Sequence, residues 1–171
     1  MQAKFSKMDT MADKLPTYVT FNKANYPWKA TIDYRLHPEA YRVGRGEQGV
    51  LICEPYKSEI GPHWRFKTPA IALKSSKKIF SLFRRYLKNK DFVGADLARK
   101  YLQMGYTRAR RYANYAGGKK YDKKNHYKQY PKGSGDIEKA TSAEIFFLAW
   151  QKAEKFSDYP IMKKEWRTKF G

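Results

Sequence analysis

The chain has 171 residues, 42% of them hydrophobic and 16% aromatic, with 36 Lys and Arg against 16 Asp and Glu for a net charge of +20. That length sets an expectation of one domain, and that apolar content excludes wholesale disorder despite the charge. One cysteine, Cys53, rules out an intrachain disulfide, and no run of about 18 apolar residues is available for a transmembrane helix.

Residues 1–16 read as a loose leader, with a short helix over Met8–Lys14 and an end at Pro16. No continuous apolar run in the first 20 residues suggests a secretory signal, so a cytoplasmic location is expected. The remainder, 17–171, is expected to fold as one domain. Tyr18-Val19-Thr20-Phe21 has the make-up of a short strand, and Tyr26, Trp28, Ile32 and Tyr34 alternate with polar residues. Tyr41-Arg42-Val43 and Val50-Leu51-Ile52-Cys53 flank the loop Gly44-Arg45-Gly46-Glu47-Gln48-Gly49, which predicts a β-hairpin. The loop lacks the Lys-Ser/Thr ending of a phosphate-binding P-loop, although Arg45 at its tip can reach a phosphate. Cys53, in an apolar run, is expected to be buried and inert.

Thr68-Pro69 is a helix start, a hydroxyl cap followed by proline. Ile79, Phe80, Leu82, Phe83, Tyr86 and Leu87 then recur at helical spacing opposite Lys77, Lys78, Arg84, Arg85 and Lys88, with a break expected at Ser75-Ser76. Asn89-Lys90-Asp91 is a turn with Asp91 as cap, and the next helix is predicted over Phe92–Ala113. Its stripe of Gly94, Ala98, Tyr101, Gly105, Ala109 and Tyr112 faces a close neighbour, and the two helices form an αα-hairpin. Residues 114–136 read as a basic, Tyr- and Gly-rich flexible loop. Thr141-Ser142-Ala143-Glu144 is a capping box opening a helix through Phe156, which Tyr159-Pro160 ends before a short last turn with Trp166 and Phe170. The fold expected is α+β: a small β-rich N-terminal half with a hairpin, then three helices.

The charge is not evenly spread. Lys and Arg number 9, 19 and 8 in residues 1–60, 61–130 and 131–171, against 7, 3 and 6 acids, so the three stretches carry +2, +16 and +2. The middle stretch also holds eight of the 14 tyrosines. Concentrated cations destabilise a fold by self-repulsion, and their usual counterpart is a polyanion. Arginines can hold phosphates bidentately and tyrosines can stack on bases. The candidate contacts are therefore Arg99, Lys100, Arg108, Arg110, Arg111 and Tyr112 on the second helix, and Tyr115, Lys119, Lys120, Tyr121, Lys123 and Lys124 in the loop. Arg84, Arg85, Arg45 and Arg65 complete the set. The reading is a protein that binds nucleic acid, DNA or RNA, mainly through its backbone and with limited sequence preference.

Three rivals stand beside it. A basic face can grip an acidic protein. Asp33, Glu47, Glu54, Glu59, Lys57 and His63 contain the residue types of a metal-dependent nuclease, but Lys57 follows Glu54 across Pro55, which breaks the strand spacing such a site needs. A phage structural or packaging part is the third. Arg65 either pairs with Glu54 as a buried structural ion pair, which its flanking rings favour, or lines a groove with Trp64. His37, His63 and His126 lack metal-ligand spacing, and no metal or cofactor is expected.

The stretches Asp33-Tyr34-Arg35, Gly49 to Tyr56, His63 to Pro69 and Ala98 to Asn114 resemble an uncharacterised family catalogued as a domain of unknown function, DUF4385. The resemblance covers about residues 25–170. It implies bacterial, tailed-phage or eukaryotic relatives, and a host cytoplasm if the chain is phage-encoded. It brings no activity or site residues.

Overall fold

The computed structural model describes residues 15–16 and 18–171. The leader helix expected over Met8–Lys14 lies outside the described residues. Among the described residues five α-helices build the fold: α1 Tyr56–Ile60, α2 Pro69–Lys88, α3 Phe92–Asn114, α4 Glu138–Glu154 and α5 Tyr159–Phe170. Among the described residues the only strands are β1 Tyr121–Asp122 and β2 Lys128–Gln129, antiparallel with Tyr121 opposite Gln129 and Asp122 opposite Lys128.

The β-rich N-terminal half is therefore corrected. Residues 18–55 run as turns and short 3-10 pieces (Lys23–Asn25 and Pro38–Ala40), with one parallel bridge between Asp33 and Glu54. The apolar residues of the expected hairpin do go inside: Tyr41, Val43, Val50 and Cys53 are all buried. Their backbone does not form a ladder. Gln48 N–H donates to Arg45 O, Val50 N–H to Glu47 O and Ile52 N–H to Gly49 O, so the run coils on itself. The carbonyls of Val43 and Gln48 are taken by the Lys100 ammonium, reaching in from α3. Gly44 and Gly49, at φ of +66° and +84°, wrap the chain around Trp28, and a Cβ on either would come within 2.5–2.7 Å of the indole.

Helix α3 is the axis of the molecule. Antiparallel α2 and then α4 pack along it, while α1, α5 and the N-terminal segment close the remaining sides. Thr68 Oγ1 accepts from Ile71 N–H and Asp91 from Gly94 N–H, so both predicted caps form. No break occurs at Ser75-Ser76. Ser75 Oγ donates to His63 O at 2.6 Å and accepts from Arg65 N–H at 3.0 Å, which ties the preceding segment to an unbroken helix.

Two further expectations change. The box Thr141–Glu144 lies inside α4, which begins earlier, where Asp136 Oδ1 accepts from Glu138 N–H. Ser142 is buried in the packing and caps nothing. Tyr159-Pro160 opens α5 rather than ending a helix, with proline in the first turn where no N–H is missed. Trp166 of α5 stacks on Phe92 at 4.9 Å and donates to Tyr41 O, clamping the N-terminal segment. The loop 114–136 contains the β1–β2 hairpin, and its base is fastened to the end of α3 by Gly133 N–H to Asn114 O and Asp136 N–H to Tyr112 O.

Candidate nucleic-acid interface

The cations predicted on α3 divide into two sets. Asp96, fully buried, accepts from the hydroxyls of Tyr41 and Tyr159 and from Arg99 Nη2 at 2.7 Å. Arg99 also donates to Tyr159 Oη and Gln103 Oε1, and its Nη1 lies 3.4 Å from Glu154. Burial alone would raise the Asp96 carboxyl, but Arg99 and Lys100 pull it down to about 2. Lys100, also fully buried, donates to Val43 O and Gln48 O and lies over the rings of Trp28 and Tyr41. Burial pushes its ammonium down to about 8. Arg99 and Lys100 are thus internal staples, and neither can meet a large partner. Buried charges persist where they are paired and hydrogen-bonded, as Arg99 is; Lys100 rests instead on two backbone carbonyls and two ring faces.

Further along, α3 emerges from the core and its polar side chains become accessible. Thr107, Arg108, Arg111 and Asn114 share one side of its last turns, as spacings of three and four require. The β1–β2 hairpin folds back over that side. The result is a cavity of about 370 Å³ whose cations are Arg108, Arg110, Arg111, Lys120 and Lys132. One carboxylate, Glu47, reaches it, and Glu47 Oε2 accepts from Thr107 Oγ1 at 2.7 Å. Among the described residues none of the five cations pairs with a carboxylate. Among the same residues Arg99 is the one cation of the 61–130 stretch in such an ion pair. Arg110 donates to Tyr106 Oη at 2.6 Å and lies over that ring, which steadies a guanidinium at the rim.

The other predicted contacts are dispersed. Lys119, Lys123 and Lys124 are exposed on the hairpin, and Lys120 lies over the half-buried Tyr121 ring. Tyr115 is 3% exposed and its hydroxyl accepts from Gln129, so its ring is not available for stacking. Tyr112 is exposed but packed against Phe66, with Lys139 over it. Arg84 and Arg85 sit on α2, at the other end of the helical hairpin, and Arg45 borders a separate groove beside Trp28, Arg42 and Arg167. Arg65 is exposed and not a buried partner of Glu54, whose nearby cation is Lys57 at 3.9 Å. Lys132 and Asn114 were not among the predicted contacts. The hairpin's return path brings Lys132 to Arg108, and no local signal announces that.

The carboxylates of the nuclease reading are engaged elsewhere. Glu59 is held bidentately by Arg35 and accepts from Tyr86, Glu54 accepts from Ser58 N–H, and Asp33 accepts from the N–H groups of Arg35 and Leu36. Among the described residues no three His, Cys, Asp or Glu side chains converge as a metal site. No helix there is long and apolar enough to cross a membrane.

Fold and surface thus define a mostly helical protein with a basic cavity at the free end of its central helix. The family described as Domain of unknown function (DUF4385) matches residues 25–169, and the chain belongs to that family. No curated protein and no solved structure matches it.

Proposed function

We propose that the protein binds nucleic acid through the phosphate backbone, with the cavity between the end of α3 and the β1–β2 hairpin as the principal contact. The observation that carries this reading is the convergence of Arg108, Arg110, Arg111, Lys120 and Lys132 around one cavity, without ion-pair partners among the described residues. Unpaired guanidinium and ammonium groups held together are costly unless an anion enters, and phosphate oxygens suit the fork of an arginine. In this reading the arginines of the cavity hold phosphates and Asn114 is the one side-chain amide lining it, so sequence preference should be weak. A single cysteine, with no second one to bridge to, fits a reducing compartment such as the cytoplasm.

The test is the triple substitution Arg108→Ala/Arg110→Ala/Arg111→Ala, assayed by fluorescence anisotropy with single- and double-stranded oligonucleotides at about 0.1 M salt. The variant should stay folded and lose most of its affinity. If all five cations meet phosphates, the wild-type log–log salt slope should be roughly −4.5. Unchanged binding by the triple variant removes the cavity from the contact surface. Competition with excess oligonucleotide against captured acidic proteins distinguishes the protein-partner alternative.

A further inference from the structure

Helix α2 runs 20 residues without a single Asp or Glu, and carries Lys74, Lys77, Lys78, Arg84, Arg85 and Lys88, all exposed. Its buried residues, Ala72, Ser75, Ser76, Ile79, Leu82, Phe83, Tyr86 and Leu87, take up the side toward α3 and α4, so the six cations form a stripe on the opposite side. Two shallow grooves follow the stripe end to end. His63, Arg65, Lys74 and Lys78 line the first, and Arg84, Arg85, Lys88 and Lys90 the second. From Lys74 to Lys88 the helix rises roughly 21 Å at ~1.5 Å per residue. A duplex presents about 12 phosphates over that length.

Ordinary surface helices balance such charge with acids, and here the acids are spent. Of the three in residues 61–130, Asp91 caps α3 and accepts from Tyr56, Asp96 is in the core, and Asp122 accepts from Lys124 N–H in the hairpin turn. Glu59, which senses Arg85, is clamped by Arg35. Asp158 is the one carboxylate lining either groove.

This stripe is separate from the α3 cavity. The cavity opens on the side of α3 that meets Glu47 and the N-terminal segment, whereas the stripe faces away from α3 altogether. Arg84 and Arg85 also lie beside the tight Asn89–Asp91 turn, roughly 24–30 Å along the axis from Arg108–Arg111, whereas the Lys74 end of the stripe is level with the last turns of α3 and is set apart from the cavity by the side it faces. Nucleic acid seated in the cavity and nucleic acid lying along the stripe therefore meet different sides of the helical hairpin.

We infer that α2 is a second phosphate-backbone contact, and that one protein molecule bridges two nucleic-acid segments, one in the cavity and one along α2. The partner class rests on the reading given for the cavity, but the second surface stands on α2 alone. The test is a capture assay with the full chain. One 30-mer oligonucleotide, single-stranded or duplex, is immobilised. Protein is bound, unbound protein is washed away, and a fluorescent 30-mer of the same kind is added. Wild type should retain the second oligonucleotide. The variant Lys74→Gln/Lys78→Gln/Arg84→Gln/Lys88→Gln should bind the immobilised strand within about threefold of wild type and lose at least tenfold of the capture, with an unchanged sedimentation coefficient. The triple cavity variant should instead keep only a weaker hold on the immobilised strand, through α2, and capture no second oligonucleotide. Capture by the α2 variant equal to wild type overturns the proposal, as does wild type that binds the first strand and captures no second. A triple variant that binds and captures like wild type, beside an α2 variant that captures nothing, counts against the cavity reading and leaves the α2 stripe standing.

Discussion

Asp96→Asn should separate the structural cations of α3 from the binding ones. In the folded protein Asp96 is fully buried and accepts from Tyr41, Tyr159 and Arg99, so the substitution leaves the Arg99 guanidinium, 3% exposed, with only Glu154 at 3.4 Å for a counter-charge. Removing one partner of a buried ion pair costs about 3–5 kcal/mol. For a chain of this size that lowers the melting temperature by roughly 6–20 °C. Urea unfolding at pH 7 gives the free energy, and the double variant Asp96→Asn/Arg99→Met gives the coupling. With both charges gone the double variant should recover at least about 1 kcal/mol relative to the single one.

Acid supplies an independent check. The Asp96 carboxyl is held at about 2, below its unfolded value near 3.9, so its contribution is present above pH 4 and lost as pH falls toward 2. That loss should amount to roughly 2 kcal/mol in wild type and be missing from the pH profile of Asp96→Asn. Oligonucleotide affinity of the folded Asp96→Asn fraction should stay within about threefold of wild type. A single variant costing under about 1 kcal/mol, or a double variant no better than the sum of the singles, would refute the assignment of Arg99 to the core.

Three other outcomes are expected. Between about pH 8 and 10 wild-type stability should rise, by roughly 2 kcal/mol, because Lys100 titrates at about 8 when folded and near 10.4 when unfolded, so the unfolded chain binds the extra proton in that window; Lys100→Met should flatten the rise in urea titrations. Gly105→Ala should destabilise by about 1–3 kcal/mol in urea unfolding, since a Cβ there would sit 2.3 Å from the Phe146 ring in the α3–α4 contact; a cost under about 0.5 kcal/mol would mean that this contact is loose. Cys53, fully buried with its thiol raised to about 12, should resist a thiol-specific reagent in native buffer and react within minutes in denaturant, and prompt native reaction would contradict its burial.

How far each feature was legible follows the range of the interactions behind it. Both long helices of the hairpin could be read because their starts depend on neighbours three residues away: Thr68 caps Ile71 and Asp91 caps Gly94. The burial of Cys53 likewise followed from its apolar run. The coil of residues 41–53 could not be read, because β-prone residues form strands only where packing supplies a strand to pair with, and here the distant Lys100, 57 residues from Val43 and 52 from Gln48, ties the carbonyls of both to α3. The same contact hides Lys100 itself, and Asp96 does so for Arg99. On a helix enclosed on nearly every side, a charged residue turns inward wherever a distant partner satisfies it.

By itself, then, the sequence determined where α2 and α3 begin, that the surplus of cations lies between residues 61 and 130, and that its acids are too few to balance them. Only tertiary structure decided which of those cations remain outside, that Lys132 returns to line the same cavity as Arg108, and that the charge separates into a cavity at the end of α3 and a stripe along α2. Composition and capping act over a few residues, while the direction in which a charged side chain points depends on groups brought near it by the packing of the whole chain.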